Sequence, residues 1–297
     1  MQFLPIDIST KQIINEFVKL QRIEASDVLF NNLYLWHFSR KIEYTIIKDC
    51  LIIKTQYPNS TPFIFYPLGL GEIKHVIQMV MEYFHDNNLI FSIQSMETHQ
   101  KNNLESIFPN QFDIVTNRDR FDYIYNIEEL ISLSGRKYHN KKNHLNRFFA
   151  NYKNYRYERI TKDNAMLVLE AYKQWFGEVP NPPQGLKNEL LGIDGALKNI
   201  TKLDITGGLL KVDNDIVAFT LGEIINDNSV VIHTEKANMK YKGIYQAINQ
   251  QFLSNEWSGF EFVNREEDLG LDGLRNAKMS YNPSKFIEKF QATLIKK

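Results

Sequence analysis

Apolar positions change their period along the chain, and each change marks an element. Ile13, Ile14, Phe17, Val18 and Leu20 recur at helical spacing and predict a helix over 11–20, with Ser9-Thr10 placed to cap it. A short strand over 3–6 precedes it. Residues 31–38 are dense in aromatics and fit either a helix or an extended run; both readings bury them in a core. The apolar runs 44–47 and 50–54 predict a hairpin that turns at Lys48-Asp49. A strand over 62–67 ends at Gly69 and Gly71, an amphipathic helix follows over 73–85, then a strand over 89–93, a short helix over 99–108 and a strand over 122–125. Gly69-x-Gly71 lacks the third glycine of a dinucleotide turn and the Lys-Ser/Thr of a P-loop, so it reads as a strand-to-helix turn.

The second half repeats the alternation. Residues 136–149 predict a helix with Leu145, Phe148 and Phe149 on its apolar face. Asp163 is placed to cap a helix over 165–176, residues 178–185 form a Pro-rich surface loop or lid, and 189–203 read as helical in two pieces around Gly192 to Gly195. From Gly207 the pattern becomes sheet. Strands over 208–212, 216–225 and 229–236 are joined by Asn/Asp turns. A helix over about 245–257 leads to the apolar run 260–263. That run stops in Asn264-Arg265-Glu266-Glu267-Asp268, followed by Gly270, Gly273 and, at helical spacing, Arg275 and Lys278. A rigid strand that empties into charged residues over a cleft is a common way to build an α/β site.

Composition narrows the class. The 297 residues suffice for two ordinary domains or one large one, and 43% hydrophobic with 24% charged residues fits a soluble globular protein. Net charge is zero, so any case for nucleic acid or anionic lipid is local. One local case exists: between residues 136 and 160 only Glu158 opposes the Lys and Arg side chains. Lys137 and Lys141 are helical neighbours, and like charges at that spacing cost stability. This segment reads either as an anion-binding face or as a solvated one. Cys50 stands alone in an apolar run and reads as a buried thiol, which suits a reducing compartment. The opening MQFLPIDISTKQ has no signal-peptide pattern and no apolar run approaches a membrane span, so the expected location is the cytoplasm, with at most peripheral membrane contact. The histidines are scattered without paired-ligand spacing, and no metal site is expected.

An antiparallel meander, a basic glycine turn, a helix and then a parallel strand resembles the GNAT acyltransferase core. The segment Gly135 to His144, then His233 to Ala237, Gly243 to Asn249 and Asn264 to Lys278 is together similar to the soluble family related to the C-terminal domain of phosphatidylglycerol lysyltransferases. That resemblance covers nearly the whole chain. It implies an α+β fold of two GNAT-like domains in tandem, with mixed, mainly antiparallel sheets flanked by helices, as in Fem-type aminoacyltransferases. The expected division is 1–128 and 129–297, the second domain carrying the basic helix 136–149.

The resemblance implies acyl or aminoacyl transfer from a CoA thioester or aminoacyl-tRNA to an amine or hydroxyl, including a phospholipid headgroup. No tightly bound cofactor is expected, and tRNA and phospholipid are the expected partners. In the turn before the helix, Lys240 stands for the first basic residue, Gly243 for the central glycine, and Tyr245 replaces the last small residue. A bulky side chain there leans against ordinary acetyl-CoA chemistry. Transfer needs a base and oxyanion donors. Glu235 is the first candidate base, or else a salt-bridge partner of Lys236 or Arg265; Glu266 and Asp268 are alternates. Arg265, Arg275 and Lys278 are candidates to hold a phosphate or carboxylate, and Lys137, Lys141 and Lys142 to contact tRNA or lipid phosphates. The competing reading is a non-catalytic anion- or nucleic-acid-binding module on a GNAT-like scaffold.

Overall fold

The computed structural model describes residues 1–295 and contains two sheets. Strands and helices of the first half are β1 (Leu4–Pro5), α1 (Lys11–Lys19), α2 (Phe30–Trp36), β2 (Lys41–Ile47), β3 (Cys50–Gln56), β4 (Phe63–Phe65), β5 (Leu68–Gly69), α3 (Ile73–Asp86), β6 (Ser92–Met96), α4 (Thr98–Ile107) and β7 (Phe112–Thr116). Then come β8 (Asp122–Asn126), α5 (Ile127–Ser132), α6 (His139–Asn151), β9 (Tyr155–Arg159), α7 (Ala165–Gly177), α8 (Gln184–Lys198), α9 (Ile200–Leu203), β10 (Thr206–Val212), β11 (Asp215–Asn226), β12 (Ser229–Ala237), α10 (Ile244–Glu256), β13 (Phe262–Asn264), α11 (Asp272–Met279), β14 (Lys285–Ile287) and β15 (Phe290–Leu294).

The first sheet runs β1-β2-β3-β4-β6-β15-β7, with β5 on β3; the second runs β9-β10-β11-β12-β13-β8-β14. The two orders correspond position by position. Each has an antiparallel meander, β2-β3-β4 or β10-β11-β12, then a helix, α3 or α10, then a parallel strand, β6 on β4 or β13 on β12. This is the α+β arrangement of mixed, mainly antiparallel sheets that a GNAT-like pair requires. The place beside each parallel strand is filled from elsewhere in the chain. In the first sheet it is β15, the last strand; in the second it is β8, which precedes the rest of that sheet. The compact units are therefore residues 1–122 with 287 onward, and residues 123–286, against the expected division at 128/129.

Local chemistry accounts for most elements. Lys48 and Asp49 both adopt positive φ, as a two-residue hairpin turn demands. Val76, Ile77, Val80 and Phe84 line the buried face of α3, and Ile244, Ala247, Ile248 and Phe252 that of α10. Residues 30–36 are helical, and Phe30, Leu33 and Leu35 are buried. Against expectation, α8 runs unbroken through Gly192 and Gly195, because Gly192, Ile193, Ala196 and Leu197 form its buried face and packing outweighs glycine's cost. The strand expected over 89–93 lies at 92–96. The basic segment opens with a 3-10 turn, Arg136–Tyr138, so Lys137 precedes α6 rather than sharing its face with Lys141.

Candidate active site at the divergence of two parallel strands

β12 and β13 pair over three positions only, Ser229 with Phe262, Val230 with Val263 and Val231 with Asn264. β12 continues to Ala237 on the β11 ladder, whereas β13 stops and its chain turns into the charged loop. The two strands part at Asn264. His233 and Glu235 lie two residues apart beyond that point, but the β11 ladder slips by one residue at His233, so strand alternation does not put them on one face. Each meets a residue of the loop.

Glu235 meets Arg265. Nη2 of Arg265 donates to Oε1 at 3.2 Å, and Nδ2 of Asn249, from α10, donates to Oε2 at 3.1 Å. The guanidinium carbon lies 5.0 Å from the Tyr281 ring centre and 5.8 Å from that of Tyr125. Nη1 of Arg265 is buried without a hydrogen-bond partner among the described residues. Lys141 reaches in from α6, its Nζ 4.2 Å from the Tyr281 ring centre, and burial together with the Arg265 charge lowers its pKa. Burial and the Glu235 charge push the Tyr245 phenol up to about 12, while the Ala237 backbone N–H donates to it. One carboxylate acceptor, one buried guanidinium donor and a depressed lysine thus converge where the strands part.

His233 meets Glu266. Its Nδ1 is 2.8 Å from Glu266 Oε1, and its Nε2 is 2.8 Å from Glu223 Oε1 on β11. Burial alone would lower the imidazole pKa; the two carboxylates outweigh it and raise the pKa to about 10. Glu266 itself sits at φ 57, a left-handed conformation that costs a non-glycine residue energy and recurs at functional sites.

The remaining residues of the charged stretch hold the loop. Arg275 grips Asp268 bidentately at 2.9 and 2.8 Å, Gly270 N donates to the same carboxylate at 2.9 Å, and the Tyr123 hydroxyl makes a further short bond. Burial disfavours the charge, but these donors hold the Asp268 carboxyl well below the usual range. A carboxylate so held is a weak base. Lys278 Nζ donates to the carbonyls of Arg265, Glu266 and Glu267 at 2.5, 3.0 and 2.6 Å. Asp268, Arg275 and Lys278 therefore fix the loop that presents Arg265 and Glu266, in contrast to the base and anion-contact roles expected of them.

The turn before α10 is filled from within. Asn238 N donates to Val217 O, Lys240 N to Asn238 Oδ1, Tyr241 N to Asn238 O, Lys242 N to the Tyr152 hydroxyl and Ile244 N to Tyr241 O. Lys240 Nζ pairs with Glu178 at 2.7 Å on the surface. Gly243 has φ 83, and a Cβ there would come within 2.2 Å of His144 O. Its freedom from a side chain is needed for α10 to approach α6. Tyr245 points its phenol toward Ala237 and Glu235, away from a role as a simple plug of the turn. Lys137 pairs with Glu129 at 2.8 Å, and Lys142 is exposed; of the three lysines, only Lys141 joins the site.

Asn249, Tyr125, Tyr281 and Glu223 belong to the site and were not singled out from sequence. A signal existed for Asn249, a polar residue that follows Ile248 on the apolar face of α10 and is 1% exposed. The tyrosines carry none, because an aromatic beside a cation reads the same in sequence as one in a core.

The fold defines a class of α+β chains built on two mixed, mainly antiparallel sheets flanked by helices. Within it, this chain belongs to the phosphatidylglycerol lysyltransferase C-terminal family, whose sequence profile matches residues 20–293. A conserved protein of unknown function from Bacteroides thetaiotaomicron is 33% identical, with a TM-score of 0.93 over 99% of this chain and 100% of that one. L-PGS from Bacillus licheniformis shares the fold at 16% identity, TM-score 0.67, over 98% of this chain and 93% of that one. The C-terminal domain of a "putative lysylphosphatidylglycerol synthetase" from Agrobacterium fabrum does so at 12% identity, TM-score 0.65, with the same coverage. An uncharacterized protein of Mycoplasmoides gallisepticum is 26% identical over 180 residues, 59% of this chain and 56% of that protein, so the chain spans about half the length of this relative. Among the described residues, no helix is long and apolar enough to cross a membrane.

Proposed function

We propose that the protein transfers an acyl or aminoacyl group, from a CoA thioester or an aminoacyl-tRNA, to an amine or hydroxyl acceptor, a phospholipid headgroup among them. The observation that carries this is the pairing of Glu235 with a buried Arg265 that has one guanidinium nitrogen unpartnered, at the point where β12 and β13 part. Acyl transfer needs a proton acceptor at the nucleophile and a donor for the developing oxyanion. Glu235 supplies the first role and Arg265 the second. Lys141 packs on the Tyr281 ring, and the rings of Tyr125 and Tyr281 face the Arg265 guanidinium. Asn249 holds the carboxylate in place when the substrate displaces Arg265 from it.

A second reading, an anion-binding module without turnover, is favoured by one observation: five amides of the turn before α10 are already engaged. A GNAT pyrophosphate would have to compete for them. That same observation favours aminoacyl-tRNA over CoA as the donor. Thermal unfolding with acetyl-CoA or with bulk aminoacyl-tRNA tests the donor. Saturation at 100 times Kd stabilises by about 2.7 kcal/mol. The expected result is a rise with aminoacyl-tRNA that Arg265→Gln abolishes; no rise with either donor removes the donor assignment.

A further inference from the structure

We propose that the first unit carries a ligand site of its own, built around the bulge in β6, that takes a small oxyanion, carboxylate or phosphate. β15 pairs with β6 at Phe290–Met96 and Ala292–Ile93, so Gln94 and Ser95 together oppose Gln291. Ser95 accommodates the extra residue at φ 56, a costly conformation for a residue other than glycine. All three bulge residues line one cavity of about 210 Å³, below the ~300–1,000 Å³ of drug-sized sites. Its other polar walls are Tyr57, Asn117, Arg120 and Lys289.

The lining suits an anion. Gln94, Gln291 and Asn117 carry amide donors, and Ser95 a hydroxyl whose proton goes to Asp27 at 2.9 Å. Asp27 and Asp122 face Lys289, and Asp27 also faces Arg120. Arg40 stands outside those pairs. It is 6% exposed, has no carboxylate within ion-pair distance among the described residues, and has a buried Nε without a partner. Its Nη1 donates to the Tyr57 hydroxyl at 2.6 Å, and its guanidinium carbon lies 5.3 Å from the Tyr57 ring centre. Because that hydroxyl accepts from Arg40, its own proton is left to donate to a ligand in the cavity it lines. A buried cation thus acts on the cavity through one tyrosine, and a polarised hydroxyl of this kind selects an acceptor-rich, negatively charged group.

Calorimetry and thermal unfolding with sodium phosphate and with sodium glutamate, against sodium chloride at equal ionic strength, test the site. One oxyanion is expected to bind and to raise Tm above chloride. Phosphate alone assigns a phosphorylated ligand; glutamate alone assigns a carboxylate. Gln291→Glu, which places a negative charge in the cavity, is expected to weaken that binding by about tenfold or more. Tyr57→Phe removes one hydrogen bond donated to the ligand and is expected to weaken binding several-fold; because it also takes away the acceptor of Arg40, it is expected to lower Tm without ligand. Arg265→Gln, in the other unit, is expected to leave it unchanged, which separates this site from the proposed transferase site. The inference is overturned if neither oxyanion differs from chloride, or if both cavity variants bind like wild type.

Discussion

Stability of the second unit is expected to fall between pH 6.5 and 10 because of one side chain. The imidazole of His233 is 1% exposed and clamped at 2.8 Å on each nitrogen, by Glu266 and Glu223. Despite burial, these carboxylates hold its pKa at about 10, against 6.5 for an ordinary histidine. A raised pKa means that the folded state binds the proton more tightly than the unfolded chain. The stabilisation is then complete below pH 6.5 and lost as pH rises toward 10. At 1.36 kcal/mol per pKa unit, the difference between about 10 and 6.5 corresponds to about 5 kcal/mol as a ceiling. Breaking a buried ion pair by removing one partner costs about 3–5 kcal/mol, the same scale. Urea unfolding between pH 6 and 9.5, followed by tryptophan fluorescence, measures the slope; Trp257 is buried in this unit. His233→Gln is expected to be less stable than wild type at pH 6, with the difference shrinking steadily toward pH 9.5. Imidazole nitrogen resonances read the pKa directly. A midpoint near 6.5, or a wild-type-to-variant difference that is constant with pH, would show that Glu223 and Glu266 do not hold the proton on His233.

Two further outcomes follow from the loop and the turn. Gly243→Ala forces a Cβ to within 2.2 Å of His144 O at φ 83, and is expected to cost about 2–4 kcal/mol in urea unfolding with no ligand present; a glycine needed only for ligand approach would leave that stability unchanged. Asp268→Asn removes the charge that Arg275 and Tyr123 hold, and is expected to cost about 3 kcal/mol at pH 7. Because the folded pKa is depressed, that difference is present above pH 3.8 and is expected to vanish as pH falls well below it; a difference that persists at low pH would show that the charge is not its origin.

Much of the fold was legible because it rests on period and turn chemistry. The Asn/Asp turns between β10, β11 and β12 and the apolar spacing of α3 and α10 mark those elements without tertiary information. β7, β9, β14 and β15 were missed. β7 and β9 lie near sheet ends, and their residues are mostly half-buried or exposed, so no clean alternation survives. β15 fills a place beside β6, far away in the chain, and no local pattern reports such a partner. The site was legible in type and not in role. Charge after a strand end flagged residues 264–278, but only contacts separate Arg265, which faces Glu235, from Arg275 and Lys278, which hold the loop. The lysines of the basic segment divide in the same way: Lys141 enters the site, Lys137 is taken by Glu129 and Lys142 stays exposed, a sorting set by the 3-10 turn that interrupts the expected helical register.

The most direct measurement of the transferase assignment is label transfer. Bulk [14C]aminoacyl-tRNA, or [14C]acetyl-CoA, is incubated with the protein, phosphatidylglycerol vesicles and a mixture of small amines, and label is counted in the lipid and amine fractions. Transfer above the protein-free rate is expected, and Glu235→Gln is expected to lower it by about 10²–10⁴-fold while remaining folded, with Tm lowered because Arg265 loses its buried partner. Transfer by Glu235→Gln at the wild-type rate would remove Glu235 as the base, and no transfer from either donor by protein shown to be folded would remove the transferase assignment.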